Sequence, residues 1–166
     1  MGQDSEIKML KIYFENGQRS FTVREMSKLA NIPRSTVQVK FNSLRHEKLI
    51  DKENAIIDGL FFRTRKINYY IEKLVQSGFV DFVVEELNPS CIILFGSFRK
   101  GDSIKASDID IFVESFIRKD LNLNKFERKL GHKIDMFIES NIKDLQNNLF
   151  NNVINGIKLY GSIKLK

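Results

Sequence analysis

The 166-residue chain has no tryptophan, only two prolines and a single cysteine. One cysteine excludes an internal disulfide, and the place of Cys91 at the start of an apolar run predicts a buried, inert thiol. No segment approaches the roughly 18 apolar residues of a membrane span. The first residues, MGQDSEIKML, lack the basic and apolar blocks of a signal peptide. We therefore expect a cytoplasmic protein with no membrane partner.

Charge of one sign is in moderate excess, because 27 Lys and Arg stand against 21 Asp and Glu, giving a net charge of +6. A basic balance favours anionic partners such as nucleic acid or nucleotide phosphates. The same charge would also simply keep a small protein soluble. The excess is concentrated in residues 1–70, which hold 13 basic and 8 acidic side chains. The apolar fraction of 42%, with 14 Phe, is enough for a real core.

The first part of the chain has the pattern of three helices. Residues 5–15 carry a helical apolar spacing that ends at Asn16-Gly17. Thr22 and Glu25 form a capping box that opens a second helix, and Pro33 suits the first position of a third. We expect these two helices to bury Met26, Leu29 and Ala30, then Val37, Phe41 and Leu44.

Two β-rich runs, LIDKENAII and LFFRTR, follow the third helix and are separated by Asp58-Gly59, a strong hairpin signal. With this order, residues 5–66 resemble the winged helix-turn-helix superfamily. The resemblance implies that the third helix enters the DNA major groove and that the hairpin wing touches the backbone or minor groove. The face offered to double-stranded operator DNA comprises Arg34, Ser35, Thr36, Gln38, Lys40 and Arg45. A winged helix used for protein contacts is the alternative, and a homodimer is the default expectation.

Two helices, at about 65–77 and 79–87, are predicted between the wing and the rest of the chain. The expected organisation is a winged helix-turn-helix domain at 1–66, a helical linker at 67–89 and a second domain at 90–166. Near the end, Leu145, Leu149, Val153 and Ile157 recur every four residues, which predicts a core-packing helix.

A buried strand, CIILF, ends at Gly96-Ser97 and leads into a short basic turn. Glycine allows a sharp turn and close ligand approach, and free N–H groups after a strand can hold phosphate oxygens. The next strand, SDIDIFVE, alternates strictly, so that Asp108 and Asp110 project from one face.

A further strand, KIDMFIE, places Asp135 on the same face as Lys133 and Phe137. If this strand neighbours the first, Asp135 joins Asp108 and Asp110, and three such carboxylates would repel one another without cations. Hard oxygen ligands suit Mg²⁺ held together with substrate phosphates. An isolated Asp-x-Asp is more often an ordinary solvated strand face. His132, just before this strand, could line the rim of the site, but it is interpreted as a turn residue.

The stretch LFGSFRKGDSIKASDIDIFVE resembles the signature of the DNA polymerase β-like nucleotidyltransferases, in particular the minimal nucleotidyltransferases of bacteria and archaea. The resemblance covers about residues 90–161 and implies an α+β protein whose small nucleotidyltransferase domain has a mixed sheet and flanking helices. It implies that Asp108, Asp110 and Asp135 are metal ligands and catalytic, with Asp135 assisting deprotonation of the acceptor hydroxyl. Gly96 and Ser97 would bind the triphosphate. Arg99-Lys100 replaces the family's usual small residue and Arg, which exchanges a bidentate fork for a point charge.

The resemblance further implies transfer of a nucleoside monophosphate, AMP from ATP, to an acceptor hydroxyl with two Mg²⁺ ions. Minimal nucleotidyltransferases resemble antitoxins that silence HEPN-domain toxins by adding AMP to a tyrosine. The chain would then be such an antitoxin with its own DNA-binding domain. One alternative is a transcription regulator whose nucleotidyltransferase domain only senses nucleotide or mediates assembly. Another is transfer to a small molecule, for which the chain seems too short.

Overall fold

The structure is a computed structural model and describes residues 2–164, with side chains from residue 4. The chain forms two compact units, Met1–Lys66 and Ile67–Lys166. No helix in the described part is long and apolar enough to cross a membrane.

The first unit is built from helices that leave little room for β structure. The elements are α1 (Gly2–Asn16), α2 (Val23–Ala30), α3 (Arg34–His46) and the beginning of α4 (Leu60–Gln76). The capping box at Thr22 and Glu25 is confirmed, since each side chain bonds the other residue's backbone N–H. The α2–α3 turn follows Asn31, which adopts a left-handed conformation at φ 54°.

The buried faces of α2 and α3 largely follow the predicted spacing. Val37, Phe41 and Leu44 are buried, as are Met26 and Ala30. Leu29 is 55% exposed, so its predicted burial is wrong. Pro33 precedes α3 as its N-cap with ψ 144°, one position before the place predicted for it.

The predicted hairpin at Asp58-Gly59 is also wrong. Gly59 does not adopt the positive φ that a tight two-residue hairpin turn requires, and the Asp58 carboxylate instead bonds the Arg63 guanidinium at 2.9 Å. LFFRTR forms the start of α4, because Phe62 is buried at the beginning of a stripe that recurs every four residues. That stripe comprises Phe62, Lys66, Tyr70 and Leu74.

A much smaller β feature lies upstream of the predicted one. The segment LIDKENAII folds back on itself: Ile50 and Ile56 form an isolated antiparallel bridge. The Ile57 N–H donates to the Leu49 carbonyl at 3.0 Å. The turn is closed by Asn54 in a left-handed conformation at φ 59°. The structure therefore shows a short bridged loop after α3 rather than a two-stranded wing.

The second unit is an α+β fold around a four-stranded mixed sheet. Its strands are β1 (Cys91–Phe95), β2 (Ile109–Glu114), β3 (Ile134–Glu139) and β4 (Ile157–Gly161), in the order β3-β2-β1-β4. The helices are the rest of α4, α5 (Phe79–Leu87), the one-turn α6 (Gly96–Lys100), α7 (Asn124–Leu130) and α8 (Asn147–Ile154), with a 3₁₀ turn at Ile142–Asp144. β1 runs antiparallel to β2 and β4, and β2 runs parallel to β3.

Both faces of the central strands are buried, which fixes their register. One apolar cluster covers the face that carries Phe95 and Phe112, with α8 and the 3₁₀ turn packed against it. Its members are Cys91, Ile93, Phe95, Phe112, Ile142 and Val153. The opposite side chains of β1 and β2, including Leu94 and Ile111, are also buried. The predicted helix through Ile157 ends at Ile154, because Ile157 begins β4 and pairs with Leu94.

Candidate active site

The candidate site lies where β1 ends and where β2 and β3 begin. Asp110 pairs with Asp135 across the parallel strands β2 and β3. Residues in register on neighbouring strands project from the same face, so the two carboxylates face the same side. On its other flank, Asp110 pairs with Phe95, the last residue of β1. The predicted pairing of the two aspartate-bearing strands is therefore confirmed.

Gly96 is where the backbone comes closest to a carboxylate. It adopts φ +68°, and a Cβ built on it would lie 1.9 Å from Asp110 Oδ2 and 2.8 Å from Asp110 Cγ. Only glycine leaves that space to the carboxylate and tolerates this φ without strain. The next residue, Ser97, donates its backbone N–H to the Asp110 carboxylate. The first turn of α6, at the end of β1, thus contacts the Asp110 carboxylate through Gly96 and bonds it through the Ser97 N–H.

The three aspartates interact electrostatically. Burial raises the pKa of Asp110 above its usual range, the charge of Asp135 raises it further, and the charge of Asp108 adds to this effect. The hydrogen bond from the Ser97 N–H lowers the same pKa and offsets part of the increase. Asp108 and Asp135 are themselves exposed. The site therefore pairs one partly buried carboxylate with two that face solvent.

The donor set fits a hard divalent cation, because carboxylate oxygens are the ligands that Mg²⁺ prefers. Within residues 2–164, however, no group of three or more His, Cys, Asp or Glu side chains is arranged so that it could enclose a metal ion. The residues that would hold Mg²⁺ are Asp108, Asp110 and Asp135, and Asp110 already accepts a hydrogen bond from the Ser97 N–H.

The basic residues of the predicted phosphate corner lie in α6. Arg99 is half-buried and Lys100 is exposed at the last residue of the helix, which ends at Gly101 in a left-handed conformation. Both therefore lie within one helical turn of Gly96 and Ser97, on the segment that bonds Asp110.

The residues predicted to bind DNA fall into two groups. Arg34, Ser35 and Gln38 are exposed on α3, and Thr36 is half-buried. Lys40 and Arg45 have partners inside the first unit: the Lys40 Nζ lies 3.0 Å from Glu6 Oε2. Arg45 bonds the Asp51 carbonyl and the Asn42 and Asn54 side chains of α3 and the bridged loop. These two cations are thus engaged in holding the unit together.

Sequence reasoning missed the role of two side chains behind the site, His132 and Tyr70. His132 is 7% exposed, and its Nδ1 lies 2.9 Å from the carbonyl oxygen of Ser107, the residue before Asp108. Tyr70 is 3% exposed, and its hydroxyl lies 3.4 Å from the other ring nitrogen of His132. No local signal could have found this pairing, because 62 residues separate the two.

The second unit therefore combines a mixed sheet, two neighbouring aspartate-bearing strands and a Gly-Ser turn against one of the aspartates. Comparison with family models gives a match to the nucleotidyltransferase domain over residues 76–159, which is just over half of the chain. Comparison with curated proteins and with solved structures found no match. The chain belongs to the nucleotidyltransferase domain family.

Proposed function

We propose that this chain is a Mg²⁺-dependent nucleotidyltransferase that moves AMP from ATP to a hydroxyl group of a partner protein. The observation that carries the proposal is the register of β2 and β3. It sets Asp135 directly beside Asp110. Asp110 itself lies two residues after Asp108 and packs against the Gly96 turn. A carboxylate cluster that holds divalent cations beside a phosphate-binding turn suits transfer of a nucleoside monophosphate.

The chemistry assigns a part to each group. The acceptor oxygen attacks the α-phosphorus, the bond from that phosphorus to the bridging oxygen breaks, and pyrophosphate leaves. Asp108, Asp110 and Asp135 would hold Mg²⁺, which supplies neutralisation of the phosphate charge and activation of the acceptor hydroxyl when it is bound. Asp135 is exposed and therefore accessible to an incoming hydroxyl, whose proton it would accept. The Ser97 hydroxyl and the cations of Arg99 and Lys100 would steady the triphosphate.

The acceptor and the control of the gene form the finer part of the proposal. We infer an antitoxin of the minimal nucleotidyltransferase kind, which modifies a HEPN-type toxin and binds its own operator as a homodimer. The basic first unit supports the DNA part, with 13 basic and 8 acidic side chains over residues 1–70. So does the capped α2, the turn at Asn31 and the exposed Arg34, Ser35 and Gln38 of α3.

One observation favours a second candidate. Arg34, Ser35 and Gln38 are exposed on α3, so the chain would also suit DNA binding with a domain used for nucleotide sensing or assembly without catalysis. In that case the chain is a transcription regulator whose DNA affinity responds to nucleotide. Both candidates predict nucleotide binding, and they differ in whether label is transferred.

The test uses ATP labelled at the α-phosphate, Mg²⁺, and the full chain with and without a candidate HEPN-domain partner protein. We expect label on the partner protein, and we expect Asp110→Asn and Asp135→Asn to abolish it. Asp120→Asn is the matched control, because Asp120 is an exposed carboxylate of the same unit outside β2 and β3. Label that persists in Asp110→Asn would refute the metal assignment. Nucleotide binding without label on any protein would refute the transferase proposal and favour the transcription regulator.

A further inference from the structure

A buried histidine lies directly behind the carboxylate loop. His132 is 7% exposed, and its ring stands edge-on to Phe98 at 4.9 Å and to Tyr70 at 5.5 Å. Phe98 and Tyr70 also contact each other edge-on at 4.6 Å. Three rings from α4, α6 and the segment before β3 therefore form one packed cluster. A buried polar ring in such a cluster costs free energy unless its nitrogens are bonded.

Both ring nitrogens of His132 have a partner, and together they define the tautomer. Nδ1 lies 2.9 Å from the Ser107 carbonyl oxygen, which can only accept, so Nδ1 must carry a proton. Nε2 lies 3.4 Å from the Tyr70 hydroxyl, which donates to it in the neutral ring. The resulting chain runs from the Tyr70 O–H through the imidazole to the Ser107 carbonyl.

This hydrogen-bonded chain ends at the carbonyl of Ser107, in the peptide group that precedes Asp108. The residue after His132, Lys133, bonds the backbone on the other side of Asp108. The Ile109 N–H donates to the Lys133 carbonyl at 2.8 Å. His132 and Lys133 thus bond the backbone on both sides of Asp108, the first residue through its side chain and the second through its main chain. Asp108 precedes β2, so the strand's own ladder begins only after it.

The same ring cluster reaches the other part of the site through Phe98. Phe98 is fully buried in α6, next to Ser97, whose N–H bonds the Asp110 carboxylate. Through Phe98 the cluster packs against the turn that clasps Asp110. Through His132 it bonds the loop that carries Asp108. The cluster therefore couples the position of α6 to that of the Asp108 loop.

We propose that His132, oriented by Tyr70, is a positioning residue that fixes the backbone of the Asp108 loop, from which the Asp108 carboxylate would join Asp110 and Asp135 in binding metal and nucleotide. The inference rests on the proposed function, since it assigns the geometry of the same site. His132 touches neither substrate nor ion, and it acts only through the backbone of the Asp108 loop.

The experiment compares two variants of the full chain that differ in one hydrogen bond. His132→Asn places its amide nitrogen at the position of Nδ1 and keeps a donor for the Ser107 carbonyl. His132→Leu fills similar space without a donor. Binding of ATP with Mg²⁺ is measured by titration calorimetry, at a temperature where both variants are folded by circular dichroism. The histidine tautomer of the wild-type chain is read separately from its ring ¹⁵N shifts.

We expect His132→Leu to weaken ATP binding by about tenfold or more, the usual loss when a group that orients metal ligands is removed. His132→Asn should stay within about fivefold of wild type, since it keeps the donor to the Ser107 carbonyl and loses the weak contact to Tyr70 and the ring contacts that His132→Leu loses as well. We expect the ring proton on Nδ1. Equal affinity in wild type and His132→Leu, or a proton on Nε2, would overturn the inference. If the wild-type chain itself fails to bind ATP with Mg²⁺, the proposed function falls and the positioning role falls with it.

Discussion

Substitution of Gly96 by alanine tests the construction of the site most directly. The added Cβ would lie 1.9 Å from Asp110 Oδ2, far inside van der Waals contact. Rotation of the carboxylate about its own axis does not relieve the overlap, because Asp110 Cγ at 2.8 Å is also too close. The Asp110 side chain must therefore swing away, and it then loses the Ser97 N–H that it accepts.

The expected cost has two parts. An alanine held at φ +68° costs about 1–2 kcal/mol, and loss of a hydrogen bond to a charged carboxylate adds about 1.5–3 kcal/mol. The sum is several kcal/mol, a large share of the stability of a 100-residue unit. Displacement of the carboxylate should in addition weaken Mg²⁺-dependent ATP binding by about 10- to 100-fold.

Gly78→Ala is the matched control, because Gly78 lies in the same unit at φ +80° and a Cβ there meets nothing within 4 Å. This variant bears only the backbone cost and should keep normal ATP affinity, with a melting temperature about 4–8 °C lower per kcal/mol lost. Thermal unfolding and calorimetric ATP titration measure the two effects independently. The reasoning is refuted if Gly96→Ala binds ATP as tightly as Gly78→Ala does.

Three further expectations concern other parts of the chain. Burial alone would raise the pKa of Glu6, but the hydrogen bonds and charges of Lys40 and Arg65 lower it below its ordinary value of 4.5. These ion pairs should thus stabilise the first unit by about 1–2 kcal/mol above pH 4.5, and this stabilisation should be lost as the pH falls through the lowered pKa of Glu6. Urea unfolding at neutral and at acidic pH measures the change in unfolding free energy. In Glu6→Gln, the contribution of these ion pairs to that change should disappear. Burial raises the pKa of the Cys91 thiol to about 11, so iodoacetamide at pH 8 should label it, by mass spectrometry, only after unfolding; rapid labelling of the native chain would contradict its burial. Arg34→Ala should weaken the proposed operator binding and reduce the slope of log affinity against log salt by the amount expected for about one phosphate contact. Lys40→Ala should act mainly on stability, because Lys40 is already paired with Glu6. Equal salt slopes for wild type and Arg34→Ala in fluorescence anisotropy would show that Arg34 does not contact DNA.

Local patterns predicted the parts of the site that lie on one strand or one turn. Alternation along SDIDIFVE is a property of any strand with two distinct faces, and it predicted that Asp108 and Asp110 project from one face of one strand. In the structure β2 begins at Ile109, so Asp110 lies on the strand and Asp108 lies just before it. Placing Asp135 beside the other aspartates required an assumption about which strands pair. The register of two strands depends on how the buried side chains of both pack together, which the sequence of one strand alone does not reveal. The sheet supplies that register through the pairs from Ile109 with Ile134 to Glu114 with Glu139.

The hairpin wing was predicted wrongly because two patterns in the sequence compete at the same place. Asp58-Gly59 is a strong local hairpin signal, but a helical stripe overlaps it, since Phe62 and Tyr70 are both buried on α4. Packing of Phe62 against Phe14 at 5.3 Å is a tertiary contact that propensity cannot weigh. His132 illustrates the opposite difficulty. Its two partners are 25 and 62 residues distant in sequence, so no window along the chain contains the relationship.

Each carboxylate is fixed by a different device, and this separation has a consequence for mutagenesis. Asp110 depends on the Gly96 turn and the Ser97 N–H. The strand that carries Asp135 begins at Ile134, whose N–H donates to Glu127 of α7 at 3.0 Å. The Asp108 loop is bonded by the His132 side chain. Removing a carboxylate would delete one of the proposed metal ligands, whereas removing one support would only displace the carboxylate that it holds. Supporting substitutions should therefore grade ATP affinity over a range. Gly96→Ala combined with His132→Leu should depart from additivity in free energy, because Phe98 of α6 contacts the His132 ring and links the two supports.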